Sequence, residues 1–253
     1  MKKILILFIA LISIASCTKQ FENTDKCRPE IAYSGKDTMA IWSYDSHNRI
    51  DKIEYIANGG EMEFSDYDTL GRPQEITGRM SKKEPLLKRV IEYKNKFQAV
   101  SYFDEKDDLV ALDTSFLENK AIKKYVYYEK DKKGKFVIQL LMDIMKADKD
   151  GSVLQSIAYG YNKKGELETQ ITSDYKYYEV DNILFKYYAV DNNYNLNRKL
   201  VKTMDVEMLG SGMDRYFELY SYQLDKDNVP VKMYFRNSSG LADTIRIKYI
   251  KAK

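Results

Sequence analysis

One short turn recurs along this chain and constrains the fold more than any other feature. Tyr44-Asp45-Ser46-His47-Asn48-Arg49-Ile50 is followed by Tyr67-Asp68-Thr69-Leu70-Gly71-Arg72. Degenerate copies stand at Phe103–Leu109, Tyr128–Phe136, Asp148–Val153, Tyr161–Leu167 and Leu224–Val229. The parts of the unit have separate roles. The aromatic ends an incoming strand and packs on the sheet. The Asp or Asn side chain accepts hydrogen bonds from backbone N–H groups of the turn. Gly or Asn supplies the positive φ that closes a hairpin. Asn58-Gly59 is a further hairpin signal of its own.

Between the turns the residues alternate with period 2. In Arg215–Tyr222, one face carries Tyr216, Glu218, Tyr220 and Tyr222, and the other Phe217, Leu219 and Ser221. Phe136–Met145 is apolar on both faces, which predicts a more buried, central strand. No amphipathic helix follows the first 17 residues. The count is about 15 strands joined by short turns, and such connections force antiparallel neighbours. The expected fold is all-β: an antiparallel meander forming a large curved sheet or half-open barrel, because broad twisted sheets do not stay flat. The 22 Tyr and 10 Phe suit half-buried pleated surfaces, and four Pro leave long strands uninterrupted.

The N-terminus reads as an export signal. Lys2 and Lys3 precede an apolar run, Ile4 to Ile14, which ends in Ile14-Ala15-Ser16-Cys17. A branched apolar residue, two small residues and a cysteine suit a lipoprotein signal peptidase, and the run is too short for an ordinary spanning helix. Cys17 is the expected lipidation site, placing the protein at a membrane of the cell envelope. Residues 18–29 read as a flexible polar tether and 30–253 as one β domain. With Cys17 carrying lipid, Cys27 has no disulfide partner. Removing residues 1–16 leaves 39 Lys+Arg (41 minus 2) against 38 Asp+Glu, interspersed, which gives no field for nucleic acid.

The Tyr-Asp-x-x-Gly-Arg pattern, fullest at Tyr67–Arg72, resembles the YD repeats of RHS-type and teneurin-like shells. Together with the lipobox, the tether and the many hairpins, the chain from about residue 30 to 250 resembles the uncharacterised lipoproteins of Bacteroidetes with a porin-like, half-barrel β fold. That resemblance implies an outer-membrane lipoprotein, and it brings no catalytic residues.

Residue by residue, little points to catalysis. His47 is the sole histidine and sits in a turn, so a His-rich zinc site is excluded. Leu209-Gly210-Ser211-Gly212 lacks the Lys-Ser/Thr of a phosphate loop. Asp148–Ser152 resembles the start of a calcium loop, but Gly151 is fourth rather than sixth and Tyr159 stands where Glu is needed, so it reads as a turn. No metal or cofactor is expected. Glu61/Glu63 and Glu166/Glu168 are same-face acid pairs of the kind a glycoside hydrolase needs, and they carry the alternative reading of an envelope- or polysaccharide-acting hydrolase. The leading reading is a non-catalytic protein that binds a glycan, peptide or protein partner. Tyrosines cluster at 125, 127, 128, 175, 177, 178, 187, 188, 216, 220 and 222. Of these, Tyr216, Tyr220 and Tyr222 are the candidate ligand-binding face, with Tyr220 and Tyr222 expected exposed and Phe217 and Leu219 expected buried, since the latter carry no hydroxyl to satisfy.

Overall fold

A computed structural model describes residues 27–118, 121–149, 151–181, 199–209 and 215–251. Cys17 and its lipobox, most of the tether, Tyr187, Tyr188 and the Gly210–Gly212 stretch lie outside those residues. Sixteen strands follow one another: β1 (Cys27–Ser34), β2 (Asp37–Tyr44), β3 (Ile50–Tyr55), β4 (Gly59–Tyr67), β5 (Pro73–Ser81), β6 (Leu87–Tyr93), β7 (Phe97–Phe103) and β8 (Leu109–Glu118), then β9 (Ala121–Lys130), β10 (Phe136–Ala147), β11 (Val153–Tyr161), β12 (Leu167–Asp181), β13 (Lys199–Leu209), β14 (Arg215–Leu224), β15 (Pro230–Asn237) and β16 (Ala242–Lys251). Each pairs antiparallel with its sequence neighbours, and β1 pairs with β16 from Cys27↔Lys251 to Ser34↔Ile245, so the meander closes into a barrel. Closure removes both exposed edges. β1 begins inside the stretch read as tether, and Arg28 and Pro29 are buried.

The turn unit holds at every copy. At Asp45, Asp68, Asp104, Asp131, Asp148, Asn162 and Asp225 the backbone N–H bonds the carbonyl four residues on, and the residue three on donates back. That third residue has positive φ each time: Asn48, Gly71, Asp107, Gly134, Gly151, Gly165 and Asn228. The side-chain Oδ1 accepts from the N–H four residues on, as Asp68 does from Arg72 at 2.9 Å. Asp148–Ser152 is thus a hairpin turn. An eighth copy, Asn237–Leu241, went unread in the sequence.

A meander puts every even-to-odd connection at one end of the barrel, with the start of β1 and the finish of β16. There a tyrosine near the end of a strand donates its hydroxyl to a carbonyl at or near the start of the strand before it. Tyr44 reaches Pro29 at 2.5 Å, Tyr93 reaches Pro73 at 2.9 Å and Tyr249 reaches Pro230 at 2.8 Å. Tyr67 with Ile50 and Tyr177 with Val153 repeat the contact. These contacts account for five of the 22 tyrosines: the ring fills the interior near its mouth while the oxygen is satisfied by backbone.

A face of one closed sheet is buried only by turning inward. Trp42, Ile53, Met62, Phe64, Ile76, Ile91, Val100, Leu140, Met142 and Ile171 belong to one contiguous buried cluster. The outer face carries charge at mid-strand. Lys52 lies 2.8 Å from Glu61 and 3.3 Å from Glu54, and Asp205 in the middle of β13 is chelated by Arg215 at the start of β14. A lipid-facing barrel shows the reverse, an apolar band outside and polar groups within. β10 departs from its expected burial on both faces: Leu140, Met142 and Ile144 are buried, but Met145 is 53% exposed. It packs on one face only because a closed single sheet has one interior.

Candidate functional site on the inner wall

The period of β14 is as read, but its two faces are exchanged. Tyr220 and Glu218 are buried, Tyr216 and Tyr222 half-buried, while Phe217 is 44% and Leu219 43% exposed. The premise that the tyrosines form an exposed face is therefore corrected: they line the interior. The hydroxyl argument failed because β14 supplies its own acceptor. Tyr220 donates a short hydrogen bond to the Glu218 carboxylate two residues away on the same face. Its ring packs on Phe235 at 5.3 Å, and Tyr178 donates to its carbonyl at 3.2 Å while meeting Tyr222 edge-on at 5.9 Å. Burial raises the Glu218 carboxyl above its usual range, against the Tyr220 bond.

A second polar cluster lies on the inner wall of β6–β9, and the sequence reading missed it. Register aligns Arg89 with Tyr102, Tyr102 with Ala111, and Asp113 with Tyr127. All these side chains are buried. Tyr102 donates to Asp113 Oδ2 at 2.6 Å and meets Tyr127 edge-on at 6.1 Å. Arg89 approaches the Met62 sulfur at 3.3 Å and lies 6.0 Å from the Tyr102 ring centroid. Desolvation pushes the Asp113 carboxyl up to about 7, opposed by the Tyr102 and Tyr125 hydroxyls and by Arg89. One signal was available: Ala111, Asp113 and Ser115 share a face with period 2, and an acid amid small residues marks a buried polar site.

The acid pairs do not converge on a cleft. Glu61 and Glu63 flank Lys52 on the outer face, and that ammonium holds the Glu61 carboxyl below its usual range. Glu166 ends a turn and accepts from Asn162 at 2.8 Å; Glu168 is exposed. A general acid needs the opposite shift. His47 lies in its turn, its backbone N–H donating to Asp45. Among the described residues no cluster of His, Cys, Asp or Glu could hold a metal ion.

No family model matches the chain, and no curated protein matches it. Its structural neighbours are porin-like proteins of Bacteroides. One from Bacteroides vulgatus ATCC 8482 is 14% identical, with 88% of this chain and 98% of that one covered at a TM-score of 0.48. Another, from Bacteroides uniformis ATCC 8492, is 11% identical over 89% and 97%, with a TM-score of 0.32. A TcdB2-TccC3-TEV structure matches 87% of this chain with 13% of its own length, at 10% identity and a TM-score of 0.20.

Proposed function

We propose that this chain is a lipid-anchored envelope protein with a non-catalytic binding or structural role, held to the outer membrane through Cys17. The observation that carries the reading is the segregation of the barrel: a contiguous apolar cluster, with a few buried polar groups such as Asp113 and Glu218, fills the inside, and charged side chains stand at mid-strand outside. A barrel so arranged rests beside a bilayer rather than crossing it, and needs a separate anchor. The Ile14-Ala15-Ser16-Cys17 box supplies one. The eight turns of one design support a kinship with YD-type hairpin repeats. A glycan, peptide or protein partner then meets the outer wall or the ends of the barrel.

Two measurements test this. Cells fed a fatty-acid analogue should label the wild-type protein and not Cys17→Ser; equal label would remove the anchor. Proteoliposomes carrying the full chain should show no solute flux above protein-free vesicles. A clear flux would mean that the interior is a conduit and the filled-barrel reading is wrong.

A further inference from the structure

Closing the barrel assembles a surface that neither end of the chain carries alone. On the outer face of β15, β16 and β1 stand Lys232, Arg236, Arg246 and Lys248, with Lys36 in the β1–β2 turn. Register places Lys232 beside Arg246, Arg246 beside Tyr33, and Arg236 between Leu219 and Ala242. Tyr33, Lys36, Arg246, Ile247 and Lys248 line a shallow cleft there. Arg246 is fixed in place: it donates to the Gly35 carbonyl and lies 5.9 Å from the Tyr33 ring centroid.

β1, β2, β15 and β16 carry three acids: Glu30, Asp37 and Asp243. Glu30 is paired with Lys248 at 2.5 Å. Asp243 accepts from Ser34, which follows the inward alternation of Ala32, and Asp37 pairs in register with that same Ser34. The outer side and its β1–β2 turn thus hold five cations against Glu30 and the exposed Asp37, in a chain whose overall charge is nearly balanced. Beside them lie the large apolar side chains that β14 turns outward, Phe217 and Leu219, and the 41% exposed Tyr234. Cations next to exposed aromatic and aliphatic groups match an anionic lipid surface better than a soluble anion, which gains nothing from Phe217 or Leu219.

We propose that this side of the barrel docks on anionic phospholipid headgroups, with the cations meeting phosphates and Phe217, Leu219 and Tyr234 entering the interface. The inference rests on the lipid anchor. β1 is part of this surface, and Cys17 stands ten residues before Cys27, so a tether of at most about 35 Å leaves from the docking side itself. The exchanged faces of β14 then acquire a reason.

The test uses the full chain in vesicles of phosphatidylcholine, with or without about a third phosphatidylglycerol, and an amine-reactive label read by mass spectrometry. Labelling of Lys36, Lys232 and Lys248 should fall several-fold in the anionic vesicles only, and recover at high salt. Lys133 and Lys163, in exposed turns elsewhere, should label equally in both. Arg236→Glu with Arg246→Glu should abolish the protection, and Phe217→Ser with Leu219→Ser should weaken it at unchanged charge. Equal labelling in the two vesicle types, or protection that survives the charge reversals, overturns the proposal. The anchor is read separately, by flotation with the neutral vesicles: a chain that does not float has no anchor, and protection of the seam by anionic vesicles is still scored on its own.

Discussion

The guanidinium of Arg49 lies 4.2 Å from the ring centroid of Tyr67 and 2.6 Å from the carboxylate of Asp45. The next copy repeats it: Arg72 stands 3.9 Å from the Tyr93 ring and 2.6 Å from Asp68. Arg28 precedes them, 4.4 Å from Tyr44. Arg49 and Arg72 each tie their own turn to the tyrosine of a following hairpin, Arg28 does so from β1, and each tyrosine ties back to the start of a strand. These two copies of the turn thus form a ladder along one end of the barrel, in which the closing arginine couples neighbouring hairpins.

Removing a rung should be measurable. Arg72 and Asp68 side chains are each 15% exposed, so solvent screens them less than a surface pair. Arg72→Ala should cost about 1–2 kcal/mol through the lost pair and the lost stacking, and Arg72→Lys somewhat less, since lysine cannot both chelate and stack. Urea midpoints of the three proteins would show the order. An Arg72→Ala midpoint equal to wild type would mean that the ladder is ornamental to stability.

Gly71 sits at φ 72°, the closing position of the fullest turn copy. A β-branched residue is strained there, so Gly71→Val should destabilise by about 1 kcal/mol or more. Gly71→Asn should be milder, because Asn48 and Asn228 occupy the same position in sister turns at 65° and 61°. Thermal melts that rank Val above Asn would contradict the shared geometry.

The turns were legible because their chemistry is local: an Asx oxygen, two N–H groups and one left-handed residue all lie within five positions. Period 2 was legible for the same reason. Which face turns inward was not, since Tyr220 is decided by Glu218 and by Phe235 on the next strand. Full closure was not legible either. Cys27 pairs with Lys251 across almost the whole chain, and no local pattern announces such a contact. The cationic seam depends on that same pairing, so its charges look evenly scattered when read along the sequence. Asp113 went unmarked because its three partners come from β6, β7 and β9.

The exchanged faces of β14 give a direct comparison. Tyr220 is buried against Phe235, so Tyr220→Ala should cost about 3–5 kcal/mol through the cavity and the abandoned Glu218 carboxyl. Leu219 is 43% exposed, so Leu219→Ala should stay within about 0.5–1 kcal/mol. Thermal melts of the two variants decide it. A Leu219→Ala loss as large as that of Tyr220→Ala would mean that the outer face of β14 is packed.

Asp113 should give the barrel a pH-dependent stability with a definite sign. Its carboxyl is pushed up to about 7 from an ordinary 3.8 by burial. Between about pH 4 and 7 the folded protein holds a proton that the unfolded chain has released, so stability falls as pH rises through that window and is lowest above it. A shift of about three units corresponds to a loss of about 4 kcal/mol. Glu218, also raised by burial, acts in the same direction. The lowered carboxyls of Asp45, Asp131 and Asp205 act oppositely, their contribution being lost only as pH falls below the ordinary carboxylate range. Maximum stability is therefore expected on the acid side of neutrality. Asp113→Asn keeps an oxygen to accept from Tyr102 and removes the ionisation, so it should be more stable than wild type at pH 8 and no better at pH 4.5. Urea unfolding of both proteins at the two pH values measures this. A wild-type stability that is level across the window, with Asp113→Asn weaker at both ends, would show that the carboxylate stays ionised and fully compensated inside the barrel.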